Sequence, residues 1–105
     1  MCIRDSAMVD RILLDDEAIA SLVAKAPGWE RQGMAMHRVF EFKDFSEAFA
    51  FMTRVAMIAE SIDHHPDWSN VWNRVEMTVT THDPAGLTSL DAQFIEAVDR
   101  IAATG

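Results

Sequence analysis

Cysteine, basic residues and long apolar runs are all scarce in this 105-residue chain. Its single cysteine, Cys2, cannot form an internal disulfide, so a reducing cytosol is the simplest compartment. Nine Lys and Arg stand against 17 Asp and Glu, and this net charge of -8 argues against electrostatic capture of nucleic acid or an anionic membrane. No apolar run approaches the roughly 18–20 residues that a membrane-spanning helix needs.

Several sequence signals of known chemistry are also missing. The chain has no Gly-rich phosphate loop, no serine nucleophile elbow and no Cys–His pairing. The N-terminus lacks the apolar core and the small-residue cleavage site of a signal peptide. Residues 1–7 show no periodicity, and we expect them to be a disordered or non-native extension of a single domain over residues 8–105.

The remaining sequence predicts three helices separated by short strands. Acidic residues at Asp15–Glu17 open the first helix, and Pro27-Gly28 ends it. Two strands follow over 29–34 and 36–42, one or two more lie within 68–81, and Asn73 marks either a turn or a bend. Capping-box patterns at Asp44 and Thr88 open the other two helices.

The long middle helix carries the strongest apolar pattern. We predict that its buried face comprises Phe45, Ala48, Phe49, Met52, Val55, Ala56 and Ala59, widened by Phe51 and Ile58. Each helix has one apolar face to bury, and the short connections between strands favour antiparallel pairing. The pattern therefore predicts a two-layer α+β domain with the helices on one face of an antiparallel sheet.

Three of the four histidines lie within nineteen residues, and each has a carboxylate nearby. Because the ordinary pKa of imidazole is about 6.5, His64, His65 and His82 are candidates for proton transfer near neutral pH. With Asp83 they also offer nitrogen and oxygen ligands for a metal, although no Cys pair or His-x-x-x-His spacing accompanies them. Adjacent side chains on extended backbone point to opposite sides, so His64 and His65 are expected to differ in role.

Ordered motifs around these histidines resemble one known family. They are Phe42-Lys43-Asp44-Phe45, Phe51-Met52-Thr53-Arg54-Val55-Ala56, Glu60-x-x-x-His64-His65-Pro66-x-Trp68, Asn70-Val71-x-Asn73-x-Val75, Thr81-His82-Asp83 and Gly86-Leu87-Thr88-x-x-Asp91. The chain resembles the pterin-4a-carbinolamine dehydratases from about Leu14 to Ala102.

The resemblance implies a fold and an activity. The fold would be a four-stranded antiparallel sheet with three helices on one face. The activity would be dehydration of 4a-hydroxytetrahydropterin to quinonoid dihydropterin and water, which recycles the pterin of aromatic amino acid hydroxylases such as those acting on phenylalanine. The resemblance further implies a cytoplasmic homodimer or homotetramer that needs no metal or organic cofactor.

The resemblance also implies roles for individual residues. His64 and His82 match the acid and base, and His65 matches the histidine that mainly holds the pterin. The other matched positions are substrate contacts at Asp63, Trp68, Thr80, Thr81 and Asp83, and supporting residues at Glu60, Pro66 and Asp91. Trp72 departs from the tyrosine more usual at its position.

Two other functions stay open from the sequence. Vertebrate relatives act as dimerisation cofactors of a transcription factor, so the same fold can serve as a protein-binding module. A diverged pterin-binding protein is the second alternative, although the intact set of three histidines counts against it.

Overall fold

A computed structural model describes residues 12–82 and 84–104 of the chain. The expectation for residues 1–7 lies outside this range. In chain order the elements are α1 (Asp16–Lys25), β1 (Glu30–Gln32), β2 (Ala35–Glu41), α2 (Phe45–Ile62), β3 (Asp67–Val71), β4 (Arg74–Val79), β5 (Thr81–His82), β6 (Ala85–Gly86) and α3 (Ser89–Thr104). None of the described helices is both long and apolar enough to cross a membrane.

Side-chain caps fix where the helices begin. Asp15 Oδ1 accepts the Ala18 amide at 2.8 Å at the start of α1, and Asp44 Oδ1 accepts the Glu47 amide at 2.9 Å at the start of α2. Each bond satisfies an N-terminal amide that has no partner within the helix. These contacts confirm the helix starts that the acidic residues predict.

Four strands form an antiparallel sheet in the order β1-β2-β4-β3. Gly33 has a φ of 64° in the turn between β1 and β2, a conformation that glycine adopts without steric cost. The ambiguity at Asn73 is settled, because Trp72 and Asn73 form the turn of a β3–β4 hairpin. The predicted four-stranded antiparallel α+β fold is confirmed.

The core lies between one face of the sheet and the three helices. Its sheet side comprises Met36, Phe40, Val75, Met77 and Val79, and the helices add Ile19, Ala48, Phe51, Val55, Ala59, Phe94, Ile95 and Val98. On β4 these residues alternate with the more exposed Arg74, Glu76 and Thr78, as expected for a sheet covered on one side.

The predicted buried face of α2 is wrong in part. Phe45 and Phe49 are 49 % and 55 % exposed, and Ala56 is exposed as well. The residues that enter the core are Ala48, Phe51, Val55 and Ala59. At 3.6 residues per turn, the true core face is rotated by roughly 30° from the centre of the predicted one. Apolar residues surround most of this helix, so the pattern alone does not fix which side faces the sheet.

A small two-stranded sheet was not anticipated. β5 pairs antiparallel with β6, which places Thr81 opposite Gly86 and His82 opposite Ala85. An isolated bridge between Leu13 and Thr88 lies beside it. This hairpin brings Thr81 to the first turn of α3, where the candidate site is built.

Candidate active site

The C-terminal end of α2 directs His64 into the protein. Asp63 has the left-handed backbone conformation (φ 53°, ψ 46°), which ends the helix four residues before the chain reaches β3. The His64 amide then donates to the Ala59 carbonyl at 3.0 Å, and the Asp63 amide donates to Glu60 at 3.3 Å. This pair of bonds is the Schellman arrangement, which reverses the chain at a helix end.

His64 is held by a buried carboxylate. Its Nε2 lies 2.6 Å from Asp91 Oδ1; His64 is 8 % exposed and Asp91 is fully buried. The edge of the imidazole meets Phe94, with the ring centroids 6.3 Å apart and the planes at 82°. A buried carboxylate this close to an imidazole makes a strong, charge-assisted contact with a fixed geometry.

The contact determines which ring nitrogen can exchange a proton. An ionised carboxylate only accepts hydrogen bonds, so the short contact requires the proton on Nε2. In the neutral ring Nδ1 then carries the lone pair, and no residue in the described ranges hydrogen-bonds to it. His64 is thereby arranged as a proton acceptor at Nδ1 whose orientation is set from behind by Asp91.

Asp91 is itself fixed by the beginning of α3. Its Oδ2 accepts the Thr88 amide at 2.8 Å, and the Thr88 hydroxyl accepts the Leu90 amide at 3.2 Å. This capping box was predicted from sequence, but only as a helix start. The Thr81 hydroxyl also donates to Asp91 Oδ2 at 2.8 Å. A single carboxylate thus caps a helix and orients a histidine.

Thr88 is the residue that the sequence-based list of site residues lacks. It is fully buried and contacts both Thr81 and Asp91. Its place three residues before Asp91 predicts a helix cap. The same spacing could have indicated the site, because whatever fixes Asp91 also fixes His64.

His65 lies in a different environment from its neighbour. Its Nε2 is 2.8 Å from Glu60 Oε2, and the two side chains are 52 % and 79 % exposed. The pair is open to solvent. Pro66, half-buried, follows it and leads into β3.

His82 is exposed on β5, one residue after the buried Thr81. Successive strand residues point to opposite faces, so the Thr81 side chain turns toward Asp91 while His82 turns away from it. None of the described residues hydrogen-bonds to the His82 ring. Asp83 lies outside the described residues.

The remaining predicted positions lie at the end of α2, on β3 and directly after β4. The Thr80 hydroxyl donates to the Met34 carbonyl, which ties it to the β1–β2 turn. Trp68 is half-buried on β3 and packs against the core, whereas Asp63 is exposed at the helix end. Trp72 is not a core residue: it is 63 % exposed in the β3–β4 turn.

The structure therefore brings His64, Asp91, Thr81 and Thr88 into one hydrogen-bonded cluster, with the His65–Glu60 pair next to it in the chain. No group of three or more potential metal ligands occurs among residues 12–82 and 84–104. A groove of about 500 Å³ between α1 and α3 is lined by none of the predicted site residues.

Comparison with known proteins places the chain in a family. The model of the family described as Pterin 4 alpha carbinolamine dehydratase matches residues 12–101. Two curated relatives bear the name "Putative pterin-4-alpha-carbinolamine dehydratase". The one from Rhodospirillum rubrum is 51 % identical over 90 % of this chain and 98 % of its own. The one from Bradyrhizobium sp. (strain ORS 278) is 52 % identical over 91 % and 96 %.

A solved structure agrees with the sequence comparisons. The crystal structure titled transcriptional coactivator/pterin dehydratase from Brucella melitensis superimposes with a TM-score of 0.82 at 39 % identity. The similarity covers 86 % of this chain and 98 % of the other. The family model alone spans most of the chain, including every residue of the cluster. The chain belongs to the pterin-4a-carbinolamine dehydratase family.

Proposed function

We propose that the protein is a hydro-lyase that dehydrates 4a-hydroxytetrahydropterin to quinonoid dihydropterin and water. The observation that carries this proposal is the buried contact of 2.6 Å between His64 Nε2 and Asp91 Oδ1. It supplies an oriented imidazole, and an oriented imidazole can move a proton near neutral pH. Family membership supports the choice of a pterin as the substrate.

The reaction needs one proton removed and one delivered. Loss of the 4a-hydroxyl requires protonation of the leaving oxygen, while the N5–H bond of the pterin must release its proton. We propose that His64 and His82 perform these two transfers and that His65 mainly binds the pterin. The exposed His65–Glu60 pair is consistent with binding at an open surface.

We further propose that five other residues contact the substrate directly. These are Asp63, Trp68, Thr80, Thr81 and Asp83. The Thr80 and Thr81 hydroxyls already donate to protein acceptors. For these two residues we therefore propose backbone groups as the contacts to the hydrogen-bonding edge of the pterin.

Stopped-flow decay of chemically generated 4a-carbinolamine tests the activity. We expect the wild type to accelerate decay above the spontaneous rate, and His64→Ala and His82→Ala each to lose about 10²–10⁴-fold, the usual contribution of an acid or base. His37→Ala is the matched control, because His37 pairs with Glu76 away from the cluster. Failure of the wild type to exceed the spontaneous rate would refute the assignment.

We also propose that the protein forms a homodimer or homotetramer in the cytoplasm and returns pterin to an aromatic amino acid hydroxylase. Two features support self-association. Phe45 and Phe49 contact each other on the exposed side of α2, with ring centroids 5.7 Å apart and the ring planes tilted by 43°, and Met57 on the same helix is 70 % exposed. In addition, β3 is an edge strand of the sheet, with no strand among residues 12–82 and 84–104 paired on its outer side.

A further inference from the structure

The hydroxyl groups of Thr81 and Thr88 form two consecutive hydrogen bonds that end on the Asp91 carboxylate. Thr81 Oγ1 lies 2.8 Å from Thr88 Oγ1 and 2.8 Å from Asp91 Oδ2. Both threonines are buried, at 5 % and 0 % exposure. They come from different elements, because Thr81 is in β5 whereas Thr88 precedes α3.

Counting protons shows which group donates in each of these hydrogen bonds. Each hydroxyl has one proton to donate, and the Asp91 carboxylate only accepts. Thr81 must therefore donate to Asp91, and the Thr81–Thr88 contact then needs the proton of Thr88. The Leu90 amide donates to Thr88 Oγ1 at 3.2 Å and completes the order. The direct approach of Thr88 Oγ1 to Asp91 is longer, at 3.4 Å.

These donors also fix which oxygen of the Asp91 carboxylate faces His64. Oδ2 receives two donors, the Thr81 hydroxyl and the Thr88 amide, whereas Oδ1 faces His64. Asp91 therefore cannot turn its other oxygen to the imidazole without breaking both bonds. Donors aligned in this way strengthen one another in a buried site, where the effective dielectric constant is low.

We propose that Thr81 and Thr88 are positioning residues for the reaction proposed above. By holding Oδ2, they keep Oδ1 aligned with His64 Nε2 and keep the lone pair on Nδ1. The expected change in kcat rests on the proposed function. The expected change in the tautomer of the His64 ring does not.

Helix capping alone does not explain Thr81. The cap is complete with the Thr88 amide on Asp91 and the Leu90 amide on Thr88. Thr81 adds a second donor to Asp91 Oδ2 from a separate hairpin, at a buried position where valine has nearly the same shape. A buried hydroxyl has a desolvation cost unless it is hydrogen-bonded, and its bond here goes to the carboxylate that orients His64.

The test is a double-mutant cycle with Thr81→Val and Asp91→Asn, and with Thr81→Ser as the conservative variant. We expect Thr81→Val to lower kcat about tenfold with KM unchanged, as the loss of one buried hydrogen bond implies. Thr81→Ser should restore most of the loss. In the Asp91→Asn background the valine substitution should have no further effect, because it acts through Asp91. Thr88→Val should have a smaller effect than Thr81→Val, since Thr81 keeps its bond to the carboxylate.

Nitrogen-15 NMR of the His64 ring gives a second readout that is independent of turnover. In the wild type at alkaline pH we expect Nε2 protonated and Nδ1 unprotonated, and in Thr81→Val a mixture of the two tautomers. Circular dichroism checks folding, and Thr81→Ala replaces the valine variant if that one does not fold. Equal kcat losses in the two backgrounds, or a Thr81→Val ring spectrum identical to that of the wild type, would overturn the proposal.

The two proposals can fail separately. A wild type that does not accelerate dehydration refutes the proposed function, while the tautomer measurement still decides whether Thr81 controls the His64 ring. An active wild type with additive substitutions refutes only the positioning role.

Discussion

At the scale of single residues, burial distinguishes histidines that look alike in the sequence. His64 sits against a fully buried carboxylate, whereas His65 and His82 are exposed. Proton transfer in a water-poor environment depends on fixed partners, and ligand binding at a surface depends on access. The structure gives His64 a fixed carboxylate partner and leaves the rings of His65 and His82 accessible to solvent.

The fourth histidine affects stability at acid pH. A hydrogen bond from His37 at 2.8 Å holds the pKa of the Glu76 carboxyl below its ordinary 4.5, with burial opposing the effect and Arg74 adding to it. The folded state therefore favours the carboxylate. The contribution of the ionised Glu76 to the unfolding free energy is complete above pH 4.5 and is lost as the pH falls through the lowered pKa.

We expect Glu76→Gln to flatten this acid dependence. Urea unfolding at pH ~7 and ~3 should show a smaller loss of unfolding free energy in the variant than in the wild type. His37→Ala should act in the same direction, because it removes the donor that lowers the pKa of Glu76. An equal loss in wild type and Glu76→Gln would show that the pair carries no acid-sensitive stability.

At the scale of elements, α2 has one face in the core and an exposed apolar stripe (Phe45, Phe49, Ala56 and Met57). Phe51 is 5 % exposed and packs against Phe40 and Phe42, with ring centroids 4.8 and 4.9 Å away. The end of the same helix delivers His64. Packing of α2 on the sheet and placement of the imidazole are therefore linked.

Two phenylalanines of α2 provide a matched test of this orientation. Phe51→Ala should lower the unfolding free energy by about 3–5 kcal/mol, because it leaves a cavity in the core. Phe49→Ala should cost less than about 1 kcal/mol in dilute protein, where association does not contribute. Urea denaturation of both variants measures the difference. Similar costs would mean that α2 is rotated from the orientation described.

At the scale of the whole molecule, the proposed self-association would use the exposed stripe of α2 or the outer edge of β3, an edge strand among the described residues. Light scattering coupled to gel filtration should give a mass two or four times that of the 11.8 kDa chain, as the proposed homodimer or homotetramer requires. We expect Phe45→Asp with Phe49→Asp to lower that mass, because charges in an apolar contact are costly to desolvate.

Lys43→Asp is the control for this experiment, since it changes the charge of an exposed residue at the start of the same helix outside the stripe. It should leave the mass unchanged. A monomeric wild type would refute self-association, and an unchanged mass in the double variant would exclude the α2 stripe as the contact.

Much of this molecule is determined locally by its sequence. Helix starts at Asp15, Asp44 and Thr88 follow from side chains that bond amides three residues or fewer away. Strand alternation on β4 follows from a two-residue period, and both are short-range effects that the order of residues fixes. The order of residues also suffices to identify the family, whose model matches residues 12–101.

Tertiary structure decided the rest, because it depends on contacts between distant parts of the chain. His64 and Asp91 are separated by 27 residues, and only the docking of α3 beside the end of α2 brings them within 2.6 Å. The same docking selects the inner face of α2 from a helix that is apolar on most sides. Thr88, visible in the sequence as a helix cap, becomes part of the site only when the β5–β6 hairpin sets Thr81 beside it.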